Sequence, residues 1–452
     1  MIPSGLSPHR ASRLARTPFF YGWVVVAVAF VTMALGVNTR TAFSLLFPPI
    51  VEEFGWERGT IAAAFSIGFA ASALYTPFIG MLMDRFGPRW VIPCGVVLVS
   101  AGLMLATWAT QPWHLYLTLG VLMVGGSVFI SYIGHSPFLP NWFVRQRGLA
   151  IGIAFSGVGV GSILLFPWLQ SLIDTVGWRH ACWAMALLLL AVLLPLNFLL
   201  QRQRPGDLGL QPDGERHAEG SAQRRGVPDN VVDHAWAATE WTLALAIRTA
   251  RFWWLFVAFF CGLFVWYAVQ VHQTKYLTDA GFAPELAAYA LGLVGLTGVI
   301  GQIAIGHLSD RVGREWAWTL GALGFVLCYL LLLAIEARPT PGLLYLMVAA
   351  QGLFGYGLAS IYGAIPAELF QGQRYGTIFG TLSLASIMGA ATGPWVTGVI
   401  YDRTGSYDPA FWLAIALGLV SIACVWLAAP RKVRVVAGRV ARLQAMRGPP
   451  SA

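Results

Sequence analysis

The sequence predicts an all-α membrane protein: twelve transmembrane helices in two pseudo-symmetric six-helix bundles. Three observations carry this. The composition cannot cover a water-facing surface, twelve apolar stretches have spanning length, and one motif recurs at half the length of the chain. Of 452 residues, 57% are hydrophobic and 11% charged, whereas soluble domains carry about 25% charged residues. Mean hydropathy is +0.67. The net charge of +9 sits in loops and tails between apolar segments. That placement points to an anionic membrane surface and not to nucleic acid.

The apolar stretches fall at 19–47, 61–83, 90–109, 115–139, 149–169 and 181–200, then at 252–276, 286–305, 316–335, 343–365, 378–400 and 411–429. A helix of about 20 apolar residues crosses a hydrocarbon core. Basic residues precede the first stretch, as in a signal peptide, but the stretch is too long and no small-residue cleavage site follows it. It is expected to remain in the mature protein. The expected organisation is a cytoplasmic N-terminal tail at 1–18, a six-helix bundle at 19–200, a cytoplasmic linker at 201–251, a second bundle at 252–429 and a basic cytoplasmic tail at 430–452. In the linker, Pro205, Gly206, Pro212 and Gly214 lie among many charges and read as solvated chain. Within 235–249, Trp236, Trp241, Leu243, Leu245 and Ile247 are mixed with polar residues, which suggests a short amphipathic helix on the membrane surface.

Orientation follows from the basic residues. One set of alternate connections, with both termini, holds 23 of the 29 Lys and Arg. The positive-inside rule places that set, both termini and the linker in the cytoplasm of a plasma (inner) membrane protein. Cys94, Cys182, Cys261, Cys328 and Cys424 all fall in apolar stretches without CxxC spacing, as buried free thiols do.

The repeat is specific. Gly80-Met81-Leu82-Met83-Asp84-Arg85-Phe86-Gly87-Pro88-Arg89 lies between the second and third stretches. Gly306-His307-Leu308-Ser309-Asp310-Arg311-Val312-Gly313-Arg314 lies between the eighth and ninth, at an offset of 226 residues. Pro167-Trp168 answers Pro394-Trp395, Asp174 answers Asp402 and Trp183 answers Trp412, at offsets of 227 to 229. Duplication of a six-helix unit is the architecture of alternating-access carriers.

These loops resemble the signature of the major facilitator superfamily, over essentially the whole chain. Further segments resemble its monocarboxylate porter and oxalate–formate antiporter branch. They are Tyr21-Gly22-Trp23, Glu53-Phe54-Gly55-Trp56, Trp142-Phe143 with Arg147-Gly148, Trp241 with Arg251-Phe252-Trp253, and His272 through Gly281. The resemblance implies the major facilitator fold and a secondary active or facilitative transporter of a small organic anion. It also implies a gating role for Asp84, Arg85, Arg89, Asp310, Arg311 and Arg314. Physically, an aspartate at such a boundary can accept hydrogen bonds from a helix N-terminus of the other half. Contacts of that kind hold one side shut and break when it opens.

Arg40 is the one Lys or Arg well inside a stretch, and no acid lies equally deep. An arginine there costs about 2.5–3.5 kcal/mol on insertion scales. Helical spacing puts Gly36, Val37, Phe43 and Ser44 beside it, with no acid among them. Its counter-ion must come from elsewhere, and a substrate anion is the natural one; snorkelling to the outer headgroups is the alternative. The branch resemblance likewise ties a basic residue in this helix to a carboxylate. It also leads one to expect an arginine four residues before Gly306, where this chain has Gln302. Gln donates hydrogen bonds but carries no charge, so a neutral or zwitterionic solute of the drug or sugar-carrier type stays open.

The fold that the resemblance implies lines its cavity with the first, fourth, seventh and tenth helices. Polar residues there are Tyr132 and His135, Tyr267, Gln270 and His272, and Tyr356 and Tyr362. Tyrosines near membrane faces also serve as interfacial anchors, and either histidine could carry a coupling proton or simply pack. Without a buried carboxylate, proton symport, exchange for a counter-anion and uniport are all compatible with the chain. No H-E-x-x-H, nucleophile–base set or Walker loop occurs. The expectation is therefore a transporter and not an enzyme, with no cofactor and no metal, acting as a monomer among membrane lipids.

Overall fold

The computed structural model describes residues 19–214 and 230–440. The expected N-terminal tail (1–18), the middle of the linker (215–229) and the end of the basic tail (441–452) lie outside the described residues. Among the described residues, twelve helices are long and apolar enough to cross a membrane. In the first half these are α1 (Gly22–Phe54), α2 (Ala63–Phe86), α3 (Pro88–Ala106), α4 (Pro112–Asn141), α5 (Arg147–Val176) and α6 (Trp178–Leu200). In the second they are α7 (Ala250–Asp279), α8 (Tyr289–Val312), α9 (Arg314–Ala337), α10 (Pro341–Phe370), α11 (Tyr375–Thr404) and α12 (Asp408–Lys432). The protein is a multi-pass membrane protein.

The two halves pack by the same device. On α5, a Cβ at Gly157 would lie 2.3 Å from the Phe30 carbonyl oxygen of α1, and one at Gly161 2.1 Å from that of Ala34. On α11, a Cβ at Gly389 would lie 2.1 Å from the Phe260 oxygen of α7, and one at Gly393 2.5 Å from that of Phe264. Without a hydrophobic drive between helices in lipid, such small-xxx-small stripes let backbones approach until dispersion holds them. The seam between the halves uses glycines as well. A Cβ on Gly80 of α2 would meet the Gly376 oxygen of α11 at 2.0 Å, and one on Gly148 of α5 the Gly306 oxygen of α8 at 2.3 Å. The halves therefore touch, backbone to backbone, on the side that carries the signature loops.

The linker differs from the single amphipathic helix expected on the lipid surface. It forms two short helices, His234–Ala238 and Leu243–Ala246, capped by Asp233 and Thr242. Thr242 starts a new helix and interrupts the old one, and the tryptophans find protein instead of lipid. Trp236 donates to the Leu369 carbonyl at 2.7 Å, and Trp236 and Trp241 both pack on Phe370 at the end of α10. The basic tail begins as ordered chain: Val433 and Val436 are buried, and Val435 N–H donates to the Asn230 carbonyl at 2.7 Å. Four of the five cysteines are buried free thiols, but Cys94 is exposed on α3. Its helix turns that position away from its neighbours.

Gly161→Leu and Gly393→Leu should each destabilise their own half by at least the ~1–3 kcal/mol typical of overpacking. Thermal unfolding of purified protein checks this; an unchanged melting temperature in both variants would refute the close α1–α5 and α7–α11 contacts.

Candidate functional site

Arg40 of α1 is half-buried and meets the other half directly. Its Nη2 donates to the Tyr267 hydroxyl of α7 at 3.2 Å, and its guanidinium lies 5.3 Å from the centre of the Phe69 ring of α2. Tyr132 of α4 lies within electrostatic reach of Arg40, Tyr267 and Tyr356, and Tyr356 of α10 within reach of Tyr267. Four helices, two from each half, thus bring one guanidinium and three phenols together. Gln270, three residues beyond Tyr267, shares its helix face and is half-buried. Among the described residues no carboxylate forms a salt bridge with Arg40.

Breaks in two helices aim these tyrosines. In α4, wide π-type turns over Tyr116–Gly125 give way to a tight 3-10 turn at Ser127–Ile130, and Tyr132 opens the next turn. In α10, wide turns at Ala350–Phe354 lead into the tight turn Gly355–Gly357, which contains Tyr356. Irregular backbone at membrane depth is tolerated where protein buries it or where it lines a cavity. The phenols are backed by aromatic rings: Tyr132 on Phe155 at 4.9 Å, and Tyr356 on Trp266 at 4.4 Å. A cation–π contact is worth about 0.5–2 kcal/mol, and a hydrogen bond to a charged group about 1.5–3 kcal/mol. Together they offset much of the insertion cost of Arg40 but leave its charge un-neutralised. The cluster can hold an anionic group and offer it hydroxyl donors.

Three other expected residues are engaged elsewhere, and a fourth, Gln302, is buried apart from the cluster. His135 is fully buried, with Nδ1 2.9 Å from the Ser131 carbonyl oxygen and its ring on Phe138. That carbonyl also accepts from the His135 backbone N–H at 3.1 Å, so the imidazole folds back onto its own turn and away from the cluster. His272 is held between the Pro394 carbonyl oxygen at 2.9 Å and the Tyr407 hydroxyl at 3.3 Å. The Tyr362 hydroxyl bonds Ser383 at 3.1 Å and Ser386 at 2.5 Å on α11, and its ring packs on Phe259. These three bond inside their own halves and do not join the Arg40 cluster in this structure. Gln302 is buried where the α8 backbone meets Gly152 of α5, and its Oε1 has no partner among the described residues.

The signature loops form a second constellation. Asp84 accepts from Gly376 N–H at 2.8 Å, Thr377 N–H at 2.7 Å and the Thr377 hydroxyl at 2.7 Å. Asp310 accepts from Gly148 N–H at 2.9 Å and Leu149 N–H at 3.0 Å. Each carboxylate thus satisfies orphan donors in the first turn of a helix of the opposite half, where the helix dipole favours negative charge. Arg314 pairs with Asp310 at 2.8 Å and with Glu368 at 2.7 Å, all three being buried. Glu368 was missed from the sequence because it sits at the edge of an apolar stretch. The linker joins in: Asp213 accepts from Val144 and Arg145 N–H, both at 3.1 Å. Burial holds the Asp213 carboxyl above its usual range, although those two N–H donors lower it in part. The remaining signature arginines do not cross the seam here. Arg89 donates to the Phe198 carbonyl of its own half at 2.9 Å, and Arg85 and Arg311 are exposed.

Comparison with known proteins agrees with this architecture. The family model described as Major Facilitator Superfamily matches residues 25–357 and 276–450. Monocarboxylate transporter 13 of Bos taurus is 28% identical over 87% of this chain and 86% of its own length. Monocarboxylate transporter 11 of Mus musculus is 29% identical over 91% and 88%. Among solved structures, FucP in the outward conformation superposes with a TM-score of 0.66 at 17% identity, over 90% of this chain and 98% of that one.

Asp84→Asn and Asp310→Asn each remove a charge-assisted contact of about 1.5–3 kcal/mol. Each should shift the seam toward opening by roughly ten- to a hundred-fold, read as faster labelling of cysteines placed between α2 and α11 or α5 and α8. Labelling rates equal to those of the parent in both variants would leave the aspartates as mere markers of topology.

Proposed function

The chain belongs to the major facilitator superfamily, and we propose that within it this transporter carries a small monocarboxylate-like organic anion by alternating access. The observation that supports the substrate class is Arg40, a membrane-embedded guanidinium without a carboxylate partner among the described residues, set where both halves meet. A carboxylate arriving there supplies the missing counter-charge, and the hydroxyls of Tyr132, Tyr267 and Tyr356 can donate to its free lone pairs. The relatives named monocarboxylate transporters share most of their length with this chain. With Gln302 in place of a second arginine, the site offers one positive charge, which suits a monoanion better than a dianion.

Movement follows from differential affinity. An anion that pairs with Arg40 competes with the Arg40–Tyr267 contact, one of the bonds joining α1 to α7. A ligand that changes this contact changes the relative stability of the two arrangements of the halves. Asp84 and Asp310, backed by Arg314, act as the cytoplasmic gate that must release when the opposite side closes. Both termini and the linker lie in the cytoplasm and the protein resides in the plasma (inner) membrane, as the basic residues indicate. One chain supplies all four helices of the cluster, so a monomer suffices. The cluster holds no carboxylate among the described residues, which favours exchange for a counter-anion or uniport over a carboxylate proton relay.

Arg40→Gln should weaken binding of a monocarboxylate roughly ten- to a hundred-fold while insertion and folding persist. Arg40→Lys should retain part of it, since a point charge replaces a bidentate fork. Normal carboxylate uptake by Arg40→Gln in proteoliposomes, or uptake of a neutral solute that ignores the substitution, would leave Arg40 as an anchor and remove the anionic reading. For orientation, reporters fused near Gly220 and after Arg447 should both signal cytoplasm; an external signal from either would reverse it.

A further inference from the structure

A cavity of about 810 Å³ opens on the cytoplasmic face beside Asp84, with walls from both halves and the linker. Arg85 at the end of α2 and Arg204 after α6 face it from the first half, and Arg374, just before α11, from the second. Among the described residues none of these three guanidinium groups forms a salt bridge. The two acids in the lining are already committed to backbone donors: Asp84 to the start of α11, and Asp207 to Gln203 and Arg204 N–H at 3.2 and 3.0 Å. Three arginines with free donor edges converge on space large enough for a small organic phosphate.

Arginine recognises phosphate by paired N–H donors with a geometry that ammonium groups lack. We propose that this cavity binds a phosphate-bearing anion, held by Arg85, Arg204 and Arg374, which staples the two halves together while the cytoplasmic side is shut. Asp84 docks on α11 only when the halves touch, so the complete site exists only in the closed arrangement. A ligand that binds one arrangement better shifts the population toward it. Two sources carry the same chemistry. Met81 and Phe86, 43% and 45% exposed at the end of α2, offer an apolar approach for the headgroup of an inner-leaflet lipid. The open mouth also admits a soluble phosphate. The inference concerns the shut face and stands apart from the identity of the transported solute.

The test uses the full chain in phosphatidylcholine nanodiscs, with thermal unfolding as the readout. One arm titrates inorganic phosphate against chloride at matched ionic strength; the other replaces part of the phosphatidylcholine with phosphatidylglycerol. Stabilisation by phosphate identifies a soluble ligand, and stabilisation by phosphatidylglycerol alone identifies a headgroup. In either case the Arg204→Gln/Arg374→Gln double variant should need at least about fivefold more ligand for the same effect. Arg374→Gln alone, at an exposed loop position, serves if the double variant fails to fold. No response in either arm, a chloride response equal to that of phosphate, or an undiminished response in the variants would overturn the proposal.

Discussion

Asp84 and Asp310 each direct a carboxylate into the first turn of a helix that belongs to the opposite half. The rest of the structure is arranged around that pair of contacts. They need glycine at Gly80 and Gly148, because any side chain there would hold the backbones apart before the hydrogen bonds could form. They need helix starts at Tyr375 and Arg147, where the first N–H groups have no partner within the helix. The contacts are polar and sit at the membrane boundary, so water can replace them when the seam opens. A packed apolar seam would offer no such exchange.

The duplicated chain makes the two contacts similar without making them equal. Asp310 is reinforced by Arg314 and Glu368 inside a buried network. Asp84 has no such arginine four residues on, since Pro88 occupies that place, and it looks instead into an open basic cavity. One contact is sealed within the protein and the other opens onto a solvent-filled cavity. On the transport reading proposed above, that asymmetry would give ligands on one side a handle on the equilibrium, while Arg40 and its phenols would give the solute another within the span.

Much of this was visible in the residues themselves. Twelve spans, the six-plus-six division and the signature loops follow from hydropathy and a repeat at about half the chain length, both of which survive without knowledge of contacts. Arg40 stood out because a charge inside an apolar stretch is costly. What the sequence hid was pairing over distance: nothing local links Asp84 to Gly376 or Arg40 to Tyr267. The polar residues of α4 and α10 could not be sorted by helical periodicity, because both helices change pitch at mid-span. That change carries Tyr132 and Tyr356 to the cluster and leaves His135 on a backbone carbonyl. The linker tryptophans carried an amphipathic signal that lipid and protein satisfy equally well, and only the fold showed Phe370 to be their partner.

The central claim is that the guanidinium of Arg40 receives the charge of the transported anion. A structure determined with a bound monocarboxylate tests it most directly. The account predicts carboxylate density within hydrogen-bonding distance of Arg40, bounded by Tyr132, Tyr267 and Tyr356. Density for the solute elsewhere in the path, with the Arg40–Tyr267 contact intact, would contradict it.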